Sequence, residues 1–322
     1  MSSRPKKITL VLGAGASHAM GYPVGAGLRS KILEVGNTDR QHFAITAGLY
    51  FEEGLLQRFV DSFLRSQMFS IDAFLARRPE FSDIGKRSIA ALLLEVEDEL
   101  RLRSTESRDH WYRYFYNRFA AESWEHLDFS NISIVTFNYD RSLEKFLHEA
   151  IKESYGKSDA EAAVKLDSLK IVHVYGSLGS PVPGKKDHLT YGGPVTAAKV
   201  KVAANSLKVI PEGRDDDAAL NSARDMLTGA DRIAFMGFGF DEVNVARLHA
   251  KQTCTRRVAQ SGGLNKNRTI VATCMGFTSA EAKKAFQLIG QEFESYEPLT
   301  PIPTGFYSGS CLDLLRETLI LE

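Results

Sequence analysis

A glycine-rich turn follows the first apolar run of the chain. The run Ile8–Leu12 leads directly into five small residues: Gly13, Ala14, Gly15, Ala16 and Ser17. Glycines at the end of a strand let the backbone approach a phosphate closely, and the N–H groups that open the next helix favour negative charge. The turn therefore predicts a phosphate cradle, although a plain strand-to-helix turn capped by Ser17 explains the same residues.

The turn departs from the common dinucleotide-binding fingerprint. The pattern G-x-G-x-x-G expects Gly or Ala at position 18, where this chain has His18. The acidic residue expected about 20 residues later is not evident, because Glu34 lies inside a helical pattern. These departures argue against an ordinary NAD-dependent dehydrogenase. His18 is a further candidate for the site, but the interpretation that we favour is a solvated loop residue.

Asn138 and Asp140 follow a second apolar run, Ile132–Phe137. A side-chain amide carries both a hydrogen-bond donor and an acceptor, which suits a ribose diol, a carboxamide or an attacking water. The same amide can instead bond its own loop backbone. Asp140 precedes a helical pattern, which favours a helix cap over a place in the site.

Five short apolar runs predict the elements that position these residues. They are bounded by Gly, Asn or Pro and rich in β-branched residues, as buried strands are: Ile8–Leu12, Ile132–Phe137, Leu169–Tyr175, Ile233–Met236 and Thr269–Thr273. Helical patterns lie between several of them, and one begins with a capping box from Thr278 to Glu281. Strands alternating with helices indicate an α/β fold with a parallel, doubly wound sheet, whose strands bring their carboxyl ends to one crevice.

One long block interrupts this alternation. Apolar residues between about residues 37 and 127 recur at helical spacing, with almost no strand signal. We therefore predict a Rossmann-like domain formed by residues 1–36 and 128–322, with residues 37–127 as a helical insertion beside the crevice. The segment 307–322 is predicted to form one last helix.

Composition narrows the classes of function. Lys plus Arg and Asp plus Glu each number 40, so the net charge is zero, whereas a dedicated nucleic-acid binder normally has a basic excess. Three dispersed cysteines, Cys254, Cys274 and Cys311, supply neither a zinc cluster nor a disulfide scaffold. Since no signal-peptide or membrane-span pattern is evident, we expect a cytoplasmic protein that has no metal site and binds no membrane.

Four segments together resemble the sirtuin-like domain family in order and spacing. They are GAGAS…GYPVG from Gly13, TFNYDRSLE from Thr136, HVYGSLG from His173 and GFGFDEVN from Gly237. Within that superfamily the chain is most similar to bacterial sirtuin-like NAD hydrolases of antiphage defence, which SIDAFL at residues 70–75 also resembles. The likeness covers about residues 7 to 295 and implies a Rossmann-like, sirtuin-like NAD-binding fold.

The resemblance also implies roles for individual residues. Asn138 matches the catalytic Asn of the family. The residues expected to contact NAD are Gly13, Ala14, Gly15, Ser17, Pro23, Thr136, Asp140, Gly176, Ser177, Gly237, Gly239 and Asn244. NAD is then the substrate, and no true cofactor is implied.

The chain departs from the family at its usual His-Gly pair, where it carries Tyr175-Gly176. Tyrosine has a reference pKa near 10 and is a poor base at neutral pH, whereas histidine has one near 6.5. If Leu169–Tyr175 is a strand, His173 and Tyr175 share the crevice face. Three alternatives stay open: His173 acts as base or ribose partner, Tyr175 bonds the ribose while Asn138 orients water, or the site only binds.

The function implied is an NAD glycohydrolase that releases nicotinamide and ADP-ribose and defends bacteria by depleting NAD. Such an activity needs control, so we expect a homo-oligomer or a partner protein, such as an ATPase. The alternative is a weak or inactive NAD- or ADP-ribose-binding subunit. A protein deacylase is disfavoured because sirtuins generally carry a four-cysteine zinc module, which these three cysteines cannot form.

Overall fold

Six strands form the central sheet of the computed structural model, which describes residues 5–38, 40–48, 53–104, 109–209, 217–255, 268–291 and 305–322. They are β1 (Ile8–Leu12), β2 (Ile132–Thr136), β3 (Lys170–His173), β4 (Arg232–Met236), β5 (Thr269–Thr273) and β6 (Gly305–Tyr307). Their spatial order is β3-β2-β1-β4-β5-β6, and all neighbours are parallel. The predicted α/β fold with a parallel sheet is confirmed.

The sheet order reverses at β1. In the register of the sheet, Leu12 lies beside Thr136 of β2 on one side and Met236 of β4 on the other. The turns after these three strands therefore emerge next to one another. In open α/β sheets such a switch point is where ligands bind.

Two strand predictions differ from the structure. Strand β3 ends at His173, because the chain turns at Gly176, whose φ of +74° leaves the extended region. Strand β6 was not predicted, since its three half-buried residues are too short to give an apolar run. The last predicted helix is also shorter, because β6 occupies the start of that segment and α15 covers only Cys311–Thr318.

The described residues between β1 and β2 form helices and short 3-10 turns. The helices are α1 (Gly25–Thr38), α2 (Arg40–Thr46), α3 (Glu53–Ser66), α4 (Ile71–Arg77), α5 (Ser82–Val96), α6 (Glu99–Arg103) and α7 (Trp111–Phe119). Phe59, Phe63, Phe74 and Phe81 pack at their centre, with Phe63 and Phe74 ring centroids 4.9 Å apart. Helix α1 packs on α3 and α5, so these helices cluster beside the sheet.

The remaining helices follow the later strands. They are α8 (Ser142–Tyr155), α9 (Asp159–Leu166), α10 (Ala197–Ser206), α11 (Ala218–Gly229), α12 (Glu242–Arg247), α13 (Ala250–Thr255), α14 (Ser279–Leu288) and α15. The capping box predicted at Thr278 is present at the start of α14. Within the described ranges, every helix is too short or too polar to cross a membrane.

Candidate functional site

Asn138 leaves the end of β2 and contacts the glycine turn after β1. Its Nδ2 atom donates to the Gly13 carbonyl at 2.9 Å and to Ser17 Oγ at 3.1 Å. Because a carbonyl only accepts, the amide nitrogen must face Gly13, and Oδ1 points away from it. In the described part of the chain, nothing donates to Oδ1. Asn138 and the turn thus meet where the sequence predicts, with one acceptor left available.

The glycine turn lies directly against the turn after β4. Gly13 N–H donates to the Met236 carbonyl and Gly15 N–H to the Gly237 carbonyl, each at 3.0 Å. A Cβ atom on Gly13 would lie 2.5 Å from the Gly237 oxygen, so glycine is required for this approach. The N–H groups predicted to cradle a phosphate at Gly13 and Gly15 are therefore engaged within the protein, and a phosphate there has to compete with these carbonyls.

His173 is held by two hydrogen-bond acceptors. Its Nδ1 lies 2.9 Å from the Asn138 carbonyl oxygen, and its Nε2 lies 2.6 Å from Glu144 Oε1 on α8. Burial alone lowers the pKa of His173, but the Glu144 charge and the hydrogen bonds raise it above its ordinary value. Both partner atoms are acceptors, so the protonated ring satisfies both contacts and braces the Asn138 backbone.

Tyr175 has a separate set of partners. Its hydroxyl donates to Asn244 Oδ1 on α12 at 2.6 Å, and the Arg247 guanidinium lies 5.7 Å from its ring centroid. Burial raises the pKa of Tyr175 to about 12, so the phenol is a donor rather than a base at neutral pH. The predicted common face for His173 and Tyr175 is not found, since the strand ends between them.

Asp140 supports the start of α8. Its Oδ1 accepts from Ser142 N–H at 3.1 Å and from Ser142 Oγ at 2.5 Å, and Tyr112 OH lies 2.7 Å from the same Oγ. Burial raises the pKa of Asp140, while hydrogen bonds from Ser142 and Ser17 lower it. The residue at the cap position of α8 is Arg141 rather than the predicted Asp140, which lies one residue earlier and accepts from the first helical N–H, that of Ser142.

The other predicted residues surround these groups. Thr136 Oγ1 accepts from Asn138 N–H at 3.1 Å. Gly176 is required by its positive φ and by the Ser206 carbonyl, which would lie 2.0 Å from a Cβ atom. Other residues predicted to contact NAD are more exposed to solvent. Ala14, Pro23 and Ser177 are half-buried, and Gly239 is exposed at the edge of a 170 Å³ cavity.

Aromatic side chains that follow β2, β3 and β4 pack against one another at the carboxyl end of the sheet. Phe137, which follows β2, packs on Phe238 after β4 with 5.2 Å between ring centroids, and on Tyr175 with 5.6 Å. Phe238 is buried and Phe137 half-buried. A ligand that spans this switch point has to displace or stack on these rings. His18 is exposed, as expected, but it lies in a 3-10 helix over Ala14–Met20 rather than in a loop, and its Nδ1 lies 3.3 Å from the Tyr22 carbonyl oxygen.

Two polar contacts near the site, one buried and one partly buried, were not predicted. Arg141 forms a two-pronged ion pair with Glu97, and neither side chain is exposed to solvent. Tyr139 OH donates to Asp72 Oδ1 at 2.6 Å. The partners of each contact are far apart in the sequence, so no local spacing predicts them. The motif SIDAFL is the one sequence signal for the segment that holds Asp72.

No family model matches the chain, and no curated protein matches it significantly. Among the described residues, no group of three or more His, Cys, Asp or Glu side chains is placed to hold a metal ion.

Proposed function

We propose that this chain cleaves the N-glycosidic bond of NAD and releases nicotinamide and ADP-ribose. The observation that supports this most directly is the orientation of Asn138. Its amide nitrogen is tied to Gly13 and Ser17, so Oδ1 is fixed with no donor from the described residues. An acceptor held in this way suits a ribose hydroxyl or an attacking water at the carboxyl ends of β1 and β2.

Cleavage of the N-glycosidic bond mainly requires that the ribose and a water molecule be oriented correctly. Loss of nicotinamide passes through an oxocarbenium-like state, as glycoside hydrolysis does. His173 is engaged with Glu144 and Asn138, so its proposed role is to position Asn138 rather than to remove a proton. A missing general base lowers a rate by roughly 10²–10⁴-fold. Orientation and preorganised dipoles then supply the remaining acceleration.

A second candidate is an NAD- or ADP-ribose-binding subunit without catalysis. Two observations favour it. His173 has both ring nitrogens occupied. Tyr175, in the place of the family's usual His, carries a phenol whose pKa is about 12. The site then recognises the dinucleotide but lacks a base to activate water.

The proposed setting is bacterial antiphage defence by NAD depletion in the cytoplasm. A chain that cleaves NAD continuously drains its own cell, so the activity needs a trigger. We propose that a homo-oligomer or a partner protein, such as an ATPase, supplies it. The resemblance of residues 7–295 to sirtuin-like NAD hydrolases is the basis for this setting.

The test is nicotinamide release from NAD by the purified chain, measured over a range of protein concentrations. We expect release by wild type and a loss of about 10²-fold or more in Asn138→Ala and Asn138→Asp. Asn117→Ala is the matched control, because Asn117 is an exposed amide on α7 whose one side-chain partner among the described residues is the Arg113 carbonyl. Binding of NAD without release supports the second candidate, and absence of both rejects the two.

A further inference from the structure

The helical insertion places one carboxylate against the hydroxyl of Tyr139, the residue that follows Asn138. Asp72 lies in the first turn of α4, and its Oδ1 accepts from the hydroxyl of Tyr139, the residue after Asn138, at 2.6 Å. Asp72 is half-buried. Among the described residues, no Lys or Arg lies within ion-pair distance of it. Asp72 is therefore a carboxyl group without a positive partner, bonded to the residue that follows Asn138. Burial raises the pKa of this carboxyl, while the hydrogen bond from Tyr139 lowers it and favours the charged form.

Local structure fixes this carboxylate in place. Ser70 caps α4 by accepting from Ala73 N–H, and Ile71, Phe74 and Leu75 are buried in the helical cluster. These side chains hold the helix, so the one polar residue of its first turn is directed at Tyr139. In the segment SIDAFL, Ser70 therefore caps the helix, three apolar side chains pack in the helical cluster, and Asp72 contacts Tyr139.

Charges near Asp72 leave a negative balance. The negative charges of Asp72 and Asp241 raise the pKa of Tyr175, and the positive charge of Arg247 lowers it. Arg247 is the opposing cation, and it is directed at the Tyr175 ring. Two acids against one base favour a ligand that brings a positive charge of its own.

We infer that Asp72 is a specificity-determining residue that selects a cationic ring, the oxidised nicotinamide of NAD, over the neutral ring of the reduced dinucleotide. The inference rests on the proposed function and adds the group that recognises the charge. A half-buried carboxylate has lost part of its hydration, and a cation beside it restores the lost interaction. ADP-ribose carries no nicotinamide, so its binding does not depend on Asp72.

The experiment measures binding of three probes by calorimetry: a carbocyclic NAD analogue that keeps the cationic ring but resists cleavage, NADH, and ADP-ribose. We expect wild type to bind the cationic analogue at least about tenfold more tightly than NADH. Asp72→Asn reduces this preference to about twofold or less and leaves ADP-ribose affinity unchanged. Asp83→Asn, at an exposed acid on α5, is the matched control and keeps the wild-type preference.

The outcomes separate this inference from the proposed function. Two outcomes overturn the role of Asp72 but not the proposed function, provided that wild type releases nicotinamide. In the first, wild type binds the cationic analogue no more tightly than NADH. In the second, Asp72→Asn keeps the wild-type preference for the analogue over NADH. Absence of binding of both the analogue and ADP-ribose overturns the proposed function and the inference with it. Thermal melting checks that Asp72→Asn is folded, and Asp72→Ser replaces it if it is not. Tyr139→Phe retains the charge and is expected to retain the preference.

Discussion

The Nε2 atom of His173 lies 2.6 Å from Glu144 Oε1, while Nδ1 of the same ring faces the Asn138 carbonyl. This one histidine ring joins the end of β3, the first turn of α8 and the backbone of the candidate catalytic Asn. Hydrogen bonds to charged groups contribute about 1.5–3 kcal/mol each to folding stability. The ring is therefore a structural brace whose strength depends on its protonation.

This brace predicts a pH-dependent stability. The pKa of His173 is raised in the folded protein, so the contribution is complete below the unfolded pKa of about 6.5. It is lost as the pH rises through the folded-state pKa. Urea unfolding of wild type and Glu144→Gln between about pH 5 and pH 9 measures it. We expect the wild-type advantage to be largest at the acid end, and a difference that is constant with pH contradicts the brace.

A methyl group on Gly13 is predicted to separate the turns after β1 and β4. The added Cβ would lie 2.5 Å from the Gly237 oxygen, and backbone on both sides leaves no flexible group to move. We expect Gly13→Ala to lower the free energy of unfolding by about 1–3 kcal/mol. Gly25→Ala is the control, because its Cβ meets nothing within 4 Å at the start of α1. Equal stability of the two variants in urea is the contrary result.

The buried pair of Arg141 and Glu97 is predicted to be costly to break from one side. Arg141→Met leaves the Glu97 carboxylate buried without its main partner, which costs about 3–5 kcal/mol in unfolding free energy. The double variant Arg141→Met with Glu97→Leu is expected to lose less than the two single variants together. Additive losses in this double-mutant cycle show that the pair is not coupled.

The cysteines are predicted to differ in reactivity. Burial raises the pKa of Cys254 and of Cys311 to about 12, whereas Cys274 is only half-buried. Since the thiolate is the reactive form, a thiol reagent at neutral pH modifies native Cys274 first and the other two after unfolding. Cys274→Ser is expected to abolish the fast phase. A fast phase that persists in this variant disproves the assignment.

Much of the sheet could be predicted because buried parallel strands leave a simple signature. Runs such as Ile8–Leu12 and Thr269–Thr273 are short, apolar and β-branched, and both are strands. Strand β6 lacks this signature, because its three residues Gly305–Tyr307 are only half-buried. Its existence depends on pairing with β5, which a local pattern does not report.

The candidate site could be predicted only in part. The meeting of Asn138 with Gly13 follows from the rule that parallel strands end at one edge. The contacts of His173 do not follow from alternation along a strand, because β3 ends at this residue and Glu144 comes from a helix. Pairs such as Asp72–Tyr139 join segments 67 residues apart, so no spacing in the sequence indicates them.

The Arg141–Glu97 pair also bears on how the molecule melts. Glu97 follows α5 in the helical insertion, whereas Arg141 precedes α8 beside the sheet, and the buried apolar residues of both regions form one cluster. Neither region can open without exposing a charge or an apolar face of the other. We expect heating to give a single cooperative calorimetric transition, with equal van't Hoff and calorimetric enthalpies.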